Sequence, residues 1–138
     1  MTRQVFSLTL ASICLLSYCS VVAYAQSEAV VALRSARSIY VKSSSALVGH
    51  SVIEEKLQKR VEFSQLGLVI TRNEADADII LEVHHDRLTK YVYTAIDSKR
   101  NIVLASGKLS SLGGTVAGKV AKRFMKQVMQ ARATAPGS

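Results

Sequence analysis

The chain has 138 residues, a formal net charge of +8 and two cysteines, Cys14 and Cys19. That length suits one ordinary domain and excludes two full-sized ones. The basic balance points to acidic partners, and with both cysteines before residue 20 the rest of the chain has no disulfide, thiolate nucleophile or cysteine metal site.

Arg3 is the only charge before Glu28. An apolar run over residues 5–16 follows, loosened by Ser17, Tyr18 and Ser20, and Ala23-Tyr24-Ala25 supplies a small-x-small step. This order predicts a secretory signal peptide over residues 1–25, cleaved before Gln26. The competing reading is an uncleaved anchor, but Ser, Thr, Tyr and Cys dilute the run, and a spanning helix needs about 20 mostly apolar residues. Lipoprotein processing needs a small residue before the cysteine, whereas Ile13 precedes Cys14 and Tyr18 precedes Cys19. Cleavage leaves residues 26–138 as a single small α/β domain. It has no cysteine and no transmembrane span, and its place is periplasmic or secreted. Its charge is +7, because Arg3 alone is lost. A basic exported domain does not by itself point to nucleic acid, and none is expected as partner.

Residues 26–37 read as helix or strand equally well. Ser38-Ile39-Tyr40-Val41-Lys42 is a clearer strand, and Ser43-Ser44-Ser45 with Gly49 marks a loop. Ser51 and Glu54 match the Ser-x-x-Glu capping box and open a helix over residues 51–66. Ile53, Leu57, Val61 and Gln65 follow helical spacing, with Leu57 and Val61 as core positions, and Gly67 is the C-terminal cap. Residues 68–71 form a short strand and 72–78 a polar connection. Residues 79–84 are a strand with Ile79, Leu81 and Val83 on one face. Residues 88–96 and 102–109 make an antiparallel hairpin across a turn at 97–101. Gly113-Gly114 breaks the chain before a last helix over residues 115–131, with Val116, Val120, Phe124 and Val128 along one stripe. A frayed tail follows from about residue 132.

Strand, helix, strand, strand, strand, helix predicts a two-layer α/β sandwich. Its mixed, mostly antiparallel sheet has four to five strands, with two helices packed on one face. If the first two strands are parallel, the crossover between them is right-handed.

The pattern of Ser38 to Val41, a capped helix ending in Gly67, Leu68 to Thr71, Ala77-Asp78 before a central strand, and a hairpin near Ile96-Asp97 resembles small exported bacterial domains. It is similar to the N-terminal domains of the TolB and CsgG families over about residues 38–130. The chain departs from them in lacking a propeller, a lipobox and a pore-forming region. The resemblance implies a fold and a cell-envelope setting, and it carries over no site residues.

Chemistry-bearing residues are sparse. His84-His85-Asp86 is the most suggestive cluster. Neighbouring strand residues face opposite ways, so the only trio that can share an ion is Glu82, His84 and Asp86; solvent-side polarity explains the same residues. His50 stands alone beside a helix entrance. There is no Gly-x-Ser-x-Gly elbow, and Ser43 to Ser45 reads as a turn rather than a nucleophile. Gly113-Gly114-Thr115 could seat an anion at a helix start, but the full phosphate-loop spacing is missing. Asp76 and Asp78 form a carboxylate pair that a polar loop explains equally well. No cofactor motif is present, and an enzyme is the less favoured reading.

Tyr91 and Tyr93 alternate on one strand face, either as a stacking surface or as cross-strand packing. In the last helix Lys119, Lys122, Arg123 and Lys126 recur at i, i+3, i+4 and i+7, and no acidic residue follows Asp97. The expectation is a non-enzymatic exported domain that binds another macromolecule through this basic face: an acidic protein, a glycan or an anionic lipid surface. The alternative is a metal-binding protein or metal-assisted hydrolase using Glu82, His84 and Asp86.

Overall fold

The structure is a computed structural model that describes residues 28–111 and 115–134. The expected signal peptide, the Gly113-Gly114 break and the end of the tail lie outside the described residues. Helix α1 covers residues 28–35, the stretch that the sequence leaves ambiguous. There follow β1 (Ser38–Ser43), α2 (His50–Gln58), α3 (Val61–Gln65), β2 (Val69–Ile70), a single 3-10 turn (Glu74–Asp76), β3 (Ile79–Arg87), β4 (Lys90–Asp97), β5 (Val103–Ser110) and α4 (Val116–Ala133). The strand order is β2-β1-β3-β4-β5. β1 runs parallel to both β2 and β3, and β3, β4 and β5 form an antiparallel meander. The expected α/β sheet is therefore present, with half of its strand junctions parallel and, among the described residues, with four helices rather than two.

Period-2 alternation builds the core. Ile39 and Val41 of β1, Ile79, Leu81 and Val83 of β3, and Tyr91, Tyr93 and Ala95 of β4 are all buried. They meet Ile53 and Leu57 of α2, Phe63 of α3, Ala32 and Leu33 of α1, and the apolar stripe of α4 in one continuous cluster. Val116, Val120, Phe124 and Val128 lie on that stripe as the spacing predicts, joined by Ala117, Ala121, Met125 and Ala131.

The expected helix over 51–66 is two helices. Arg60 is extended (φ −85°, ψ 130°) and opens α3. The break rotates the next turn, so Val61 is 68% exposed and Phe63 is buried in its stead. An unbroken helix from Leu57 would turn Phe63 off the core face; burying the larger ring removes more apolar surface from water. The capping box is also absent. α2 begins one residue early, its N-cap is Gly49, and no side chain caps it. Glu54 is itself buried and pairs with Arg72 at 3.4 Å. Gly67 does cap the helix: at φ 63° it donates to Ser64, and Leu68 donates to Phe63 in a Schellman pair.

Two further boundaries differ. Leu88 and Thr89 are a tight turn between β3 and β4, with Leu88 at φ 40°, so β4 starts at Lys90. α4 continues to Ala133, where the Arg132 guanidinium donates to the carbonyls of Leu66 and Ala36 and so holds the last turn in place.

β2 and β3 are joined without an α-helix. Ile70 and Ile79 both stand opposite Ile39, so the residues between them must pass β1 to reach its other side. Asp78 anchors the return. Its carboxylate accepts from the backbone N–H groups of Arg37 and Ser38 and from the Ser38 hydroxyl. Asp97 plays the same part at the β4–β5 turn, accepting from the N–H groups of Lys99 and Arg100 and from the Arg100 guanidinium. Partial burial on its own would raise both carboxyls. Against it, hydrogen bonds from Arg37 and Ser38 with the Lys99 charge for Asp78, and from Arg100 and Lys99 for Asp97, hold both below the usual carboxylate range.

Four outcomes are expected. A folded-state pKa below the unfolded one gives stability that is complete above the unfolded value, about 3.9, and is lost as pH falls through the folded value. The urea midpoint should therefore hold steady from neutral pH to about 5 and fall below about 4. Asp78→Asn should lower the neutral midpoint and flatten the acid fall; an acid limb as steep as the parent's would remove Asp78 from this role. Gly107→Ala should cost about 1–3 kcal/mol, because its Cβ would lie 2.5 Å from Cε1 of the buried Tyr93 ring. Ser51→Ala should stay within about 0.5 kcal/mol of the parent, since Ser51 caps nothing.

Candidate functional site

α4 divides cleanly into two sides. Its apolar stripe is consumed by the core, with Phe124 and Val128 at 0% exposure. On the other side Lys119, Lys122, Arg123 and Lys126 are all exposed, as their spacing predicts. None of the four forms a salt bridge among the described residues; the cations that do are Lys42, Lys59, Arg60, Arg72, Lys99 and Arg100, with His84. The reason is in the sequence, which places no Asp or Glu after Asp97.

The four cations are not equivalent. Lys119 and Arg123 lean over β5 and donate to backbone carbonyls, Lys119 Nζ to Ser110 at 3.1 Å and the Arg123 guanidinium to Lys108. Lys122 and Lys126 make no hydrogen bond among the described residues and are the free charges of the ridge. A groove flanks the ridge on either side. One, of about 470 Å³, is lined by Lys56 of α2 with Thr115, Gly118, Lys119 and Lys122. The other, of about 350 Å³, runs between α4 and β5 past Arg123, Lys126, Gln127 and Gln130. Lys56 escapes the sequence analysis because nothing in its own stretch marks it; only the packing of α2 against α4 brings it to the ridge.

The tyrosines belong to the interior. Tyr91 and Tyr93 are 4% and 1% exposed, so they pack the sheet rather than offer a stacking face. They share the inward face of β4 with Ala95. The Tyr93 hydroxyl donates to Gln127 Oε1 at 2.9 Å, which satisfies it below α4. Burial pushes that phenol up, against the opposing Arg123 charge and the Gln127 hydrogen bond.

The expected ligand trio does not assemble. Glu82 and His84 do share a face, with His84 Nε2 3.2 Å from Glu82 Oε2, but His84 Nδ1 is held by the Ser44 hydroxyl and Glu82 is shared with Lys42. A register shift between His85 and Arg87 interrupts the alternation at Asp86. Among the described residues no three His, Cys, Asp or Glu groups are placed to hold a metal ion. The carboxylate pair is likewise structural: Asp78 anchors β1, and Asp76 accepts from the Asn73 side chain. Ser43 and Ser45 spend their hydroxyls on the loop before α2. His50 borders a pocket of about 270 Å³ with Tyr40, Lys42, Glu54 and Arg72, where Arg72 already neutralises Glu54. No helix among the described residues is long and apolar enough to cross a membrane.

No family model matches the chain, and no curated protein matches it. Among solved structures it is similar to two of PelC from Paraburkholderia phytofirmans, both dodecamers. The first, a single-substitution variant, shares 16% identity at a TM-score of 0.41 over 70% of this chain and 89% of that one. The second shares 12% identity at 0.37 over 72% and 89%. It is also similar to the solution structure of uncharacterized lipoprotein B from Nitrosomonas europaea, at 17% identity and a TM-score of 0.33 over 70% and 81%. These structures are neither TolB nor CsgG, and likenesses this weak transfer no activity, partner or assembly to this chain.

Proposed function

We propose that this chain is an exported, non-enzymatic binding domain that docks on an acidic macromolecule through the exposed ridge of α4. One observation carries the reading: four exposed cations on one helix face with no carboxylate partner among the described residues. Cations left without local counter-charge repel one another at a cost to the fold, which an acidic partner would relieve. Export is supported by the leader-like order of residues 1–25, and a periplasmic or secreted setting follows from it.

The burial of α4 narrows the partner. A helix that lies in a membrane interface needs its apolar face free to enter the lipid. Here that face fills the core, so any contact is made by charge at the surface. An acidic polymer chain or an acidic protein patch meets that requirement better than a bilayer. Exposed charges act over about 8 Å in physiological salt, so the partner must bring its negative groups close to the ridge.

The test compares the mature chain with a Lys56→Gln, Lys122→Gln, Lys126→Gln variant, which removes cations that make no hydrogen bond among the described residues. The parent should be retained on immobilised polyglutamate or an acidic polysaccharide at low salt and released as salt rises. It should adsorb less to phosphatidylglycerol vesicles. With roughly 1 kcal/mol per surface cation, the variant should bind at least about tenfold more weakly, with an unchanged melting profile. Retention equal to the parent's would reduce the ridge to a solvated surface.

A further inference from the structure

β5 is the long free edge of the sheet, with eight residues beside β4 and no strand beyond it among the described residues. In an antiparallel strand each residue sends its N–H and C=O to the same side. Those of Ser106, Lys108 and Ser110 point away from β4, because their carbonyls meet the side chains of α4. Lys119 reaches Ser110, Arg123 reaches Lys108, and Gln127 Nε2 reaches Ser106 at 3.4 Å. The donors are spaced by four along the helix and the acceptors by two along the strand, in opposite order. Four helical residues rise about 6 Å and two strand residues about 6.7 Å, so helix and strand stay in step over three contacts.

An unpaired strand edge is a template for another strand. The opposite edge of this sheet, β2, has only two residues. Pairing β5 onto β2 would match two residues at most, too few to grow a filament by strand addition. Strand pairing of matched length is β5 with β5, and run antiparallel about a two-fold axis it closes there. The outward N–H groups at 106, 108 and 110 would meet the same carbonyls that α4 now occupies.

We propose that β5 is a guarded self-association edge. Its occupant, when unguarded, is β5 of a second copy, and Lys119, Arg123 and Gln127 keep it shut. The guard is a set of flexible side chains laid on the carbonyls from one side, so it blocks pairing without adding a strand. Two of the cations on the α4 ridge thus have a task of their own, whether or not the ridge binds an acidic partner.

The test is mass by light scattering over a range of concentrations. Lys119→Ala with Arg123→Ala leaves Gln127 to satisfy Tyr93, and should move the chain from the parent's mass to twice that mass as concentration rises. Adding Lys108→Pro removes the central outward N–H and should return the parent's mass. Backbone amides of Ser106, Lys108 and Ser110 should exchange quickly in the parent and become protected in the associated variant. Should the double variant lose its fold by circular dichroism, Arg123→Ala alone at higher concentration carries the same expectation. The proposal is overturned if the folded variant keeps the parent's mass throughout. It is equally overturned if the parent is itself a dimer that Lys108→Pro splits, because the edge would then be open.

Discussion

A single carboxylate, that of Asp78, holds the place where the sheet changes from parallel to antiparallel. Parallel strands usually need a helix to carry the chain back. β2 and β3 have none, and something must stop the short link from pulling β3 out of level with β1. Asp78 does so by gripping the N–H groups of Arg37, just before β1, and of Ser38, its first residue, while its own backbone carbonyl accepts from Ser98 in the β4–β5 turn. The starts of β1 and β3 and one turn are thereby fixed at one point. The inward alternation of Ile79, Leu81 and Val83, and with it the seat for α4, follows from that level.

Where burial alternates with a fixed period, the sequence was legible. β1, β3 and β4 and the apolar stripe of α4 all show their period in their own residues, and Gly67 is a cap because a left-handed position there favours glycine. α1 was not readable, since Ala29 to Leu33 is apolar without a period. The break at Arg60 was hidden because Val61 satisfies the helical spacing as well as a core residue would; only the competition with Phe63 decides it. Ser51 and Glu54 match a capping motif, but the N-cap is Gly49, two residues before Ser51.

The site divides in the same way. The exposure of Lys119, Lys122, Arg123 and Lys126 follows from helical period alone. Their inequality does not, because it depends on β5 being an edge, and strand order is a property of the whole sheet. Tyr91 and Tyr93 illustrate the converse. Alternation puts them on one face and says nothing about which face is wet. Glu82, His84 and Asp86 needed an unbroken strand, and the register shift at Asp86 removes it.

α4 is the last element of the described chain, yet eight of its residues lie in the core, and Arg132 near its end ties down the carbonyls that finish α1 and α3. The contacts that close the fold therefore join the end of the chain to its beginning and middle. A chain delivered from its N-terminus has its strands early and its core late. Until α4 arrives, the inward face of the sheet lacks the eight core residues that helix supplies, and the Tyr93 hydroxyl lacks Gln127.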